Sequence, residues 1–327
     1  WQPRDTVAWF GERGVAVKTE PDGRMFPTTD RSDSIADCLT RAAREAGVQV
    51  MTRRGVIELT KTGDEFQIRC DSGESWIAGR VMLATGGMRP GPISAALAEF
   101  GHRIESPVPS LFTFHVEDER IKGLQGLSVA NVGVGVEGSK LKESGPLLVT
   151  HWGFSGPAIL KLSAWGAREL AAADYRFSCR VNWIHPRAAK DAEDSLRKMK
   201  ETDGRKRIAG TPLFDLPKRI WERLVAAAEI SDAQNWSQLS AQKITALGAQ
   251  LADGKFSVTG KSMNKEEFVT CGGVSLKEVD FKTMESRNVK GLHFGGEVLD
   301  IDAITGGFNF QAAWTTGRLA GLAMAGS

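Results

Sequence analysis

Apolar positions along this chain recur with two periods, and the changes between them mark out its elements. After Asp5 and Thr6, a pair suited to capping, Val7, Ala8, Trp9 and Phe10 predict a short helix. Val15 to Val17 reads as a strand, and Arg24 to Pro27 follows the turn at Pro21-Asp22-Gly23. Ile35, Leu39, Ala42, Ala43 and Ala46 share one face of a helix capped by Asp33 or Ser34 and stopped by Gly47. Val48 to Met51 then predicts a strand, giving half of a βαβ unit. From Val56 to Ile77 polar and apolar residues alternate, as in an antiparallel meander. Val81 to Ala84 is apolar without alternation, the signature of a buried parallel strand, and Thr85-Gly86-Gly87 ends it.

The middle of the chain changes character. Residues 110–183 are β-rich around a helical stretch at 158–173, residues 187–207 are densely charged, and residues 212–251 carry helical periodicity. Strands resume at 255–259, 269–274 and 291–294, and a glycine turn leads to a helix over 307–325. The expected organisation is a first segment at 1–107, an inserted β-rich domain at 108–287 with a helical subdomain at 187–251, and a closing segment at 288–327.

Composition narrows the function classes. A formal net charge of +2 over 327 residues gives no global reason to expect nucleic acid or an anionic membrane as partner. Cys38, Cys70, Cys179 and Cys271 stand alone, and no two histidines have metal-ligand spacing, so neither a disulfide framework nor a metal site is expected. Such cysteines suit the cytoplasm. No apolar run approaches the roughly 20 residues of a membrane span.

The chemistry concentrates in residues 291–321. A strand ends at Gly295-Gly296-Glu297, where a ligand can approach bare backbone and an acid can accept hydrogen bonds from a polyol. Gly306 and Gly307 then open a helix whose free N–H groups and dipole favour negative charge by about 0.3–2 kcal/mol, which suits the pyrimidine edge of a reduced flavin. Ala313, Gly317 and Gly321, four residues apart, predict close packing of that helix on a sheet. An ordinary crossover helix is the alternative. Thr85, Gly86 and Gly87 offer a second strand end for the same nucleotide. Gly133, Gly135 and Gly138 form a GxGxxG, but it lies in an alternating run followed by Gly145-Pro146, which predicts a hairpin rather than a phosphate loop. His151 and Ser155 lie in a polar-aromatic cluster before a helix. His151 reads equally as an acid–base group or a structural histidine, and Ser155 could orient a carbonyl.

The segments GRMFPTTD at 23–30, VMLATGG at 81–87, GPLLVTHWGFSGPAILKLSAWGAREL at 145–170 and the stretch 270–321 resemble the aminoacetone oxidase and bile-acid dehydrosteroid reductase group of FAD-binding flavoproteins. The resemblance implies an α/β fold of the two-dinucleotide type, with an FAD-binding domain built from both chain ends and an inserted β-barrel-like domain. It further implies that Glu297 binds the ribityl chain, that Gly306, Gly307, Phe308 and Asn309 face the flavin ring, that Thr85, Gly86 and Gly87 lie on the adenosine side, and that Val56 meets adenine through its backbone. Arg24, Phe26 and His151 would lie by the flavin face. That group's first strand and true GxGxxG are expected before Trp1, and Ala303 stands where it usually has glycine. The implied activity is hydride transfer between a small or steroid-like substrate and FAD, with reoxidation by oxygen or exchange with NAD(P)H. A flavin-dependent RNA-modifying or RNA-binding protein and an FAD-free remnant are the alternatives.

Overall fold

The computed structural model describes residues 1–21, 23–262 and 269–326, so Asp22 of the expected turn lies outside the described residues. In chain order the elements are α1 (Pro3–Gly11), β1 (Val17–Thr19), β2 (Met25–Pro27), α2 (Asp33–Glu45), β3 (Val56–Thr62), β4 (Glu65–Cys70), β5 (Ser75–Ala78), β6 (Val81–Leu83), α3 (Pro92–Glu99) and β7 (Ile104–Ser110). There follow β8 (Thr113–His115), β9 (Ser128–Val136), β10 (Lys142–Val149), β11 (Gly153–Ser155), α4 (Pro157–Trp165), α5 (Ala167–Ala172), β12 (Phe177–Asn182), α6 (Ala189–Thr202), α7 (Lys218–Ala227), α8 (Ala241–Ala252), β13 (Gly254–Val258) and β14 (Gly260–Ser262). The chain closes with β15 (Val269–Val274), β16 (Val279–Asp280), β17 (Glu285–Ser286), β18 (Leu292–Phe294) and α9 (Phe308–Met324). It falls into two compact units: residues 1–108 with those from 269 onward, and the residues between.

In the first unit a four-stranded sheet runs in the order β16-β17-β18-β6. β18 and β6 are parallel, with Leu292 opposite Val81 and Phe294 opposite Leu83. Their apolar side chains join Leu59 and Phe66 of the meander β3-β4-β5, Leu97 of α3 and Ala320 of α9 in one core. Leu292, His293 and Phe294 are all buried, as a strand covered on both faces should be. Met82 in β6 is exposed, so that strand is covered on one face only.

Two expectations and part of a third need correcting here. Val48 to Met51 forms no strand; Val50 is 68% exposed, and no described residue offers it a hydrogen-bonding edge. The expected apolar face of α2 is largely open, with Cys38 its buried residue. The close packing expected of α9 holds at Gly317 and Ala313, which lie 3.4 Å from where a Cβ on Gly295 or Gly296 would stand, but not at Gly321, where a Cβ would meet nothing within 4 Å; the buried residues of the helix are Thr316 and Ala320. Helix caps also shift: Gln2 precedes α1, with its N–H donating to Asp5, and Ser32 precedes α2.

The second unit carries an antiparallel seven-stranded sheet in the order β13-β12-β9-β10-β11-β8-β14. The glycine motif at 133–138 belongs to the β9–β10 hairpin, with Glu143 opposite Val134. Helices α6 to α8 cover the densely charged and periodic segments. Trp183, Trp221 and Trp236 are fully buried in this unit's core. Among the described residues no helix is long and apolar enough to cross a membrane.

Candidate functional site

Because β6 and β18 are parallel neighbours, both glycine turns leave the same edge of the sheet. The N–H of Gly295 donates to the carbonyl oxygen of Leu83 at 2.9 Å, which ties the two strand ends together. Gly87 has a reason of its own to lack a side chain: a Cβ there would lie 2.5 Å from Thr270 Oγ1. Thr85 and Gly86 complete that turn. Beyond β18, Gly296 to Val298 forms a single 3-10 turn. Thr316 Oγ1 accepts from the Gly296 N–H at 2.8 Å and donates to the carbonyl of Ala312 at 2.7 Å, so the turn is pinned to the second half of α9. Val298 points into the core, which leaves Glu297 half-buried on the other side. Among the described residues its carboxylate has no hydrogen-bond partner. Burial, and then the nearby charge of Asp302, raise its pKa above the usual range. Asp302 was missed in the sequence; an acid five residues from Glu297 in a loop carries no periodic signal.

The start of α9 leaves backbone donors open among the described residues. Gly307 caps the helix in the left-handed region (φ 88°), and Gln311 is the first residue to close an intrahelical bond, onto Gly307. The N–H groups of Phe308, Asn309 and Phe310 therefore have no acceptor among the described residues. Phe308 and Phe310 are exposed beside them. The Asn309 side chain is already committed: its Oδ1 accepts from the Ala303 N–H at 2.9 Å and its Nδ2 donates to the Ala303 carbonyl at 3.0 Å. Only its backbone amide is left for a ligand. Both bonds use Ala303 backbone alone, and Ala303 is not among the residues with positive φ, so alanine replaces glycine there without strain. Arg24 comes to the same loop, its Cγ 3.9 Å from where a Cβ on Gly306 would lie, with its guanidinium 5.5 Å from the Phe26 ring centroid. Val56 starts β3, opposite Cys70.

In the second unit Thr150 holds a tight turn, its Oγ1 accepting from the N–H groups of Trp152 and Gly153 at 3.2 Å. His151 is exposed at that turn, without a partner among the described residues. Ser155 Oγ accepts from Thr113 Oγ1 at 3.0 Å, which leaves its own proton available. His115, also missed, stacks on Trp152 (centroids 5.5 Å, planes 16° apart) and is hydrogen-bonded to Ser262. Its place in the alternating Thr113-Phe114-His115, next to the buried Phe114, was the readable clue.

Free helix-start amides, a half-buried carboxylate with a raised affinity for protons, and glycine-lined strand ends on one sheet edge fit a flavin nucleotide: donors for ring carbonyls, an acceptor for sugar-alcohol hydroxyls, and backbone open to close approach. Among the described residues no cluster suits a metal ion. All four cysteines are buried and none is in a disulfide, and burial pushes the Cys179 thiol up to about 12, so it is no ready nucleophile.

Residues 1–323 match the model of the HI0933-like protein Rossmann domain. The chain belongs to that family. HI0933-like proteins are FAD-binding Rossmann flavoproteins, and membership makes this chain a flavin oxidoreductase at the family level. The ribosomal RNA dihydrouridine synthase of Escherichia coli K12 is 29% identical over 322 residues, 95% of this chain and 76% of the relative. The protein of the same name from Haemophilus influenzae is 26% identical over 324 residues, 95% and 77% of the two chains. A 3-dehydro-bile acid delta(4,6)-reductase of Clostridium scindens is 28% identical over 342 residues, 98% and 80%. The names thus include both a steroid reductase and RNA-directed enzymes, the latter a class that the near-neutral charge had counted against.

Proposed function

We propose that this HI0933-like chain is an FAD-dependent reductase that saturates a ring carbon–carbon double bond conjugated to a carbonyl, with a uracil ring of RNA as substrate. The observation that carries the reading is the glycine-led start of α9, with three unpaired amides, on the same polypeptide turn system as the half-buried Glu297. The names of the relatives support the chemistry: dihydrouridine synthase and delta(4,6)-reductase both describe removal of a ring double bond. Two of the three favour uridine.

In this reading Glu297 accepts a hydrogen bond from the ribityl chain. The amides of Phe308 to Phe310 donate to the pyrimidine edge of the ring, where the helix dipole favours the negative charge of the reduced state. Thr85, Gly86 and Gly87 hold the adenosine side, and the Val56 backbone meets adenine. Bound FAD supplies the hydride. Arg24 and Phe26 present a cation and a flat ring to the substrate. Saturation also needs a proton, for which His151 is the proposed source, and Ser155, with its hydroxyl hydrogen available, the proposed donor to the substrate carbonyl. NAD(P)H is the proposed source of the electron pair, leaving as NAD(P)+.

The test uses the full native protein under anaerobic conditions. Its flavin absorbance should bleach with NAD(P)H and return when ribosomal RNA transcript is added, with dihydrouridine found by mass spectrometry of the digested RNA. Return of colour with a 3-oxo-4-ene steroid but not with RNA would replace uracil by a steroid-like substrate. A colourless protein would refute the flavin enzyme and leave the FAD-free alternative.

A further inference from the structure

At the amino-terminal ends of β6 and β18, away from the glycine turns, lies a cavity of about 640 Å³ that the flavin reading does not use. That volume falls in the range of small-molecule sites, about 300–1,000 Å³. Lys61 reaches it from β3, Lys282 from the turn between β16 and β17, and Lys290 from the turn before β18. The Lys61 ammonium lies over the Phe66 ring, 4.3 Å from its centroid. Among the described residues the ammonium groups of Lys282 and Lys290 have neither hydrogen bond nor ion pair. The Arg80 guanidinium, at the same cavity, is spent on the carbonyl oxygens of Ala323 and Met324 at the end of α9.

The other polar groups ask for donors. His293 is 3% exposed, yet it lines the cavity. Its Nδ1 stands 3.0 Å from the carbonyl oxygen of Thr283, and because a carbonyl can only accept, Nδ1 carries the hydrogen. Nε2 of the neutral ring is then an acceptor with no protein partner among the described residues. Glu285 accepts the Gly291 N–H with one oxygen at 2.7 Å and keeps the other for a ligand. Leu319 and Ala323 of α9 supply an apolar wall.

A ligand that answers all three features has an anionic end for the lysines, hydroxyl donors for His293 and Glu285, and a flat face for the wall. We propose that this cavity binds a nucleoside phosphate, free or as one unit of an RNA strand. Two or three lysines suffice for one phosphate, so a protein of net charge +2 needs no basic surface to hold it. The inference does not rest on the reductase reading.

The test is a titration of the full native chain and its Lys282→Ala/Lys290→Ala double variant with uridine, uridine 5′-monophosphate and a short single-stranded RNA. Both lysines are exposed, so the double variant should keep the wild-type melting temperature. Expected is binding of the monophosphate about tenfold or more tighter than uridine, and a loss of about tenfold or more in the double variant. If RNA binds while the free nucleotide does not, the same loss should come with a shallower salt dependence, identifying RNA as the source. His293→Gln should weaken either ligand further. Uridine binding as tightly as its monophosphate, a double variant within twofold of wild type, or no binding of either phosphate ligand would each overturn the proposal. No outcome depends on flavin: a colourless chain that still binds through these lysines defeats the reductase reading alone.

Discussion

The two units of this molecule place their unsatisfied polar groups differently. Residues from 109 to 262 close a dry aromatic core: Phe154 meets Phe256 at 4.9 Å and Trp183 at 6.0 Å, edge to face, and all three are fully buried. That core even tolerates the indole N–H groups of Trp183 and Trp236 without partners among the described residues, a cost of about 1–3 kcal/mol each that burial must offset. The other unit leaves Val50, Met51 and Phe310 in solvent and keeps helix-start amides and a carboxylate unsatisfied. The second unit thus buries unmet donors in its core, whereas the first leaves helix-start amides beside exposed side chains. Unsatisfied groups are what a ligand can repay.

The sharpest way to break this contrast is to truncate one phenylalanine in each unit. Phe154→Ala should destabilise by about 3–5 kcal/mol, because a core packed from three directions cannot collapse into the space left. Phe310→Ala, in the other unit, should stay within about 0.5 kcal/mol, since its ring is 67% exposed. Urea unfolding followed by tryptophan fluorescence measures both. Comparable losses would mean that the two units share one stability.

A smaller effect separates glycines held by backbone conformation from glycines of convenience. Gly307→Ala keeps open space around the new Cβ but forces an L residue to φ 88°, which should cost about 1–2 kcal/mol. Gly321→Ala, later in the same helix and also in open space, should instead gain about 0.5–1 kcal/mol from helix propensity. Thermal melts of the two variants should move in opposite directions. A loss at Gly321 would extend to that position, along the four-residue spacing, the close packing seen at Ala313 and Gly317.

That spacing shows where sequence patterns stop being informative. The meander, the parallel strand pair, the hairpin around Gly133 and Gly135, and the helix beginning after Gly307 were all legible, because each is set by local periodicity or turn chemistry. Val48 to Met51 has strand composition but no strand, since pairing depends on a neighbour that composition cannot supply. Glu297 could be found from its place after a glycine pair, but Asp302 and the Thr316 hydroxyl that pins its turn come together only in the fold. Likewise Asn309 was readable as part of the helix start, while its clamp on Ala303 was not.

The finest test sets two glutamates against each other. In the second unit Glu137 is hydrogen-bonded by Lys255, at 2.6 Å, and by Arg180, which hold its pKa at about 2 against an ordinary 4.5. The folded protein then binds that proton more weakly than the unfolded chain. Its stabilising contribution is present above pH 4.5 and is lost as pH falls from there through about 2. In the first unit Glu297 is shifted the other way, by burial and then by Asp302. Here the folded state holds the proton more tightly, so stability is greatest below 4.5 and declines as pH rises through the elevated pKa. Glu137→Gln should therefore flatten the acid limb of a stability profile, and Glu297→Gln the limb above it, while Asp302→Asn should move the second limb toward lower pH. Both groups are partly or fully open to solvent, so the changes in urea midpoint should be small. Their separation along the pH axis is what counts: if Glu297→Gln altered only the acid limb, the carboxylate would be satisfied in the folded protein and would not be waiting for a ligand.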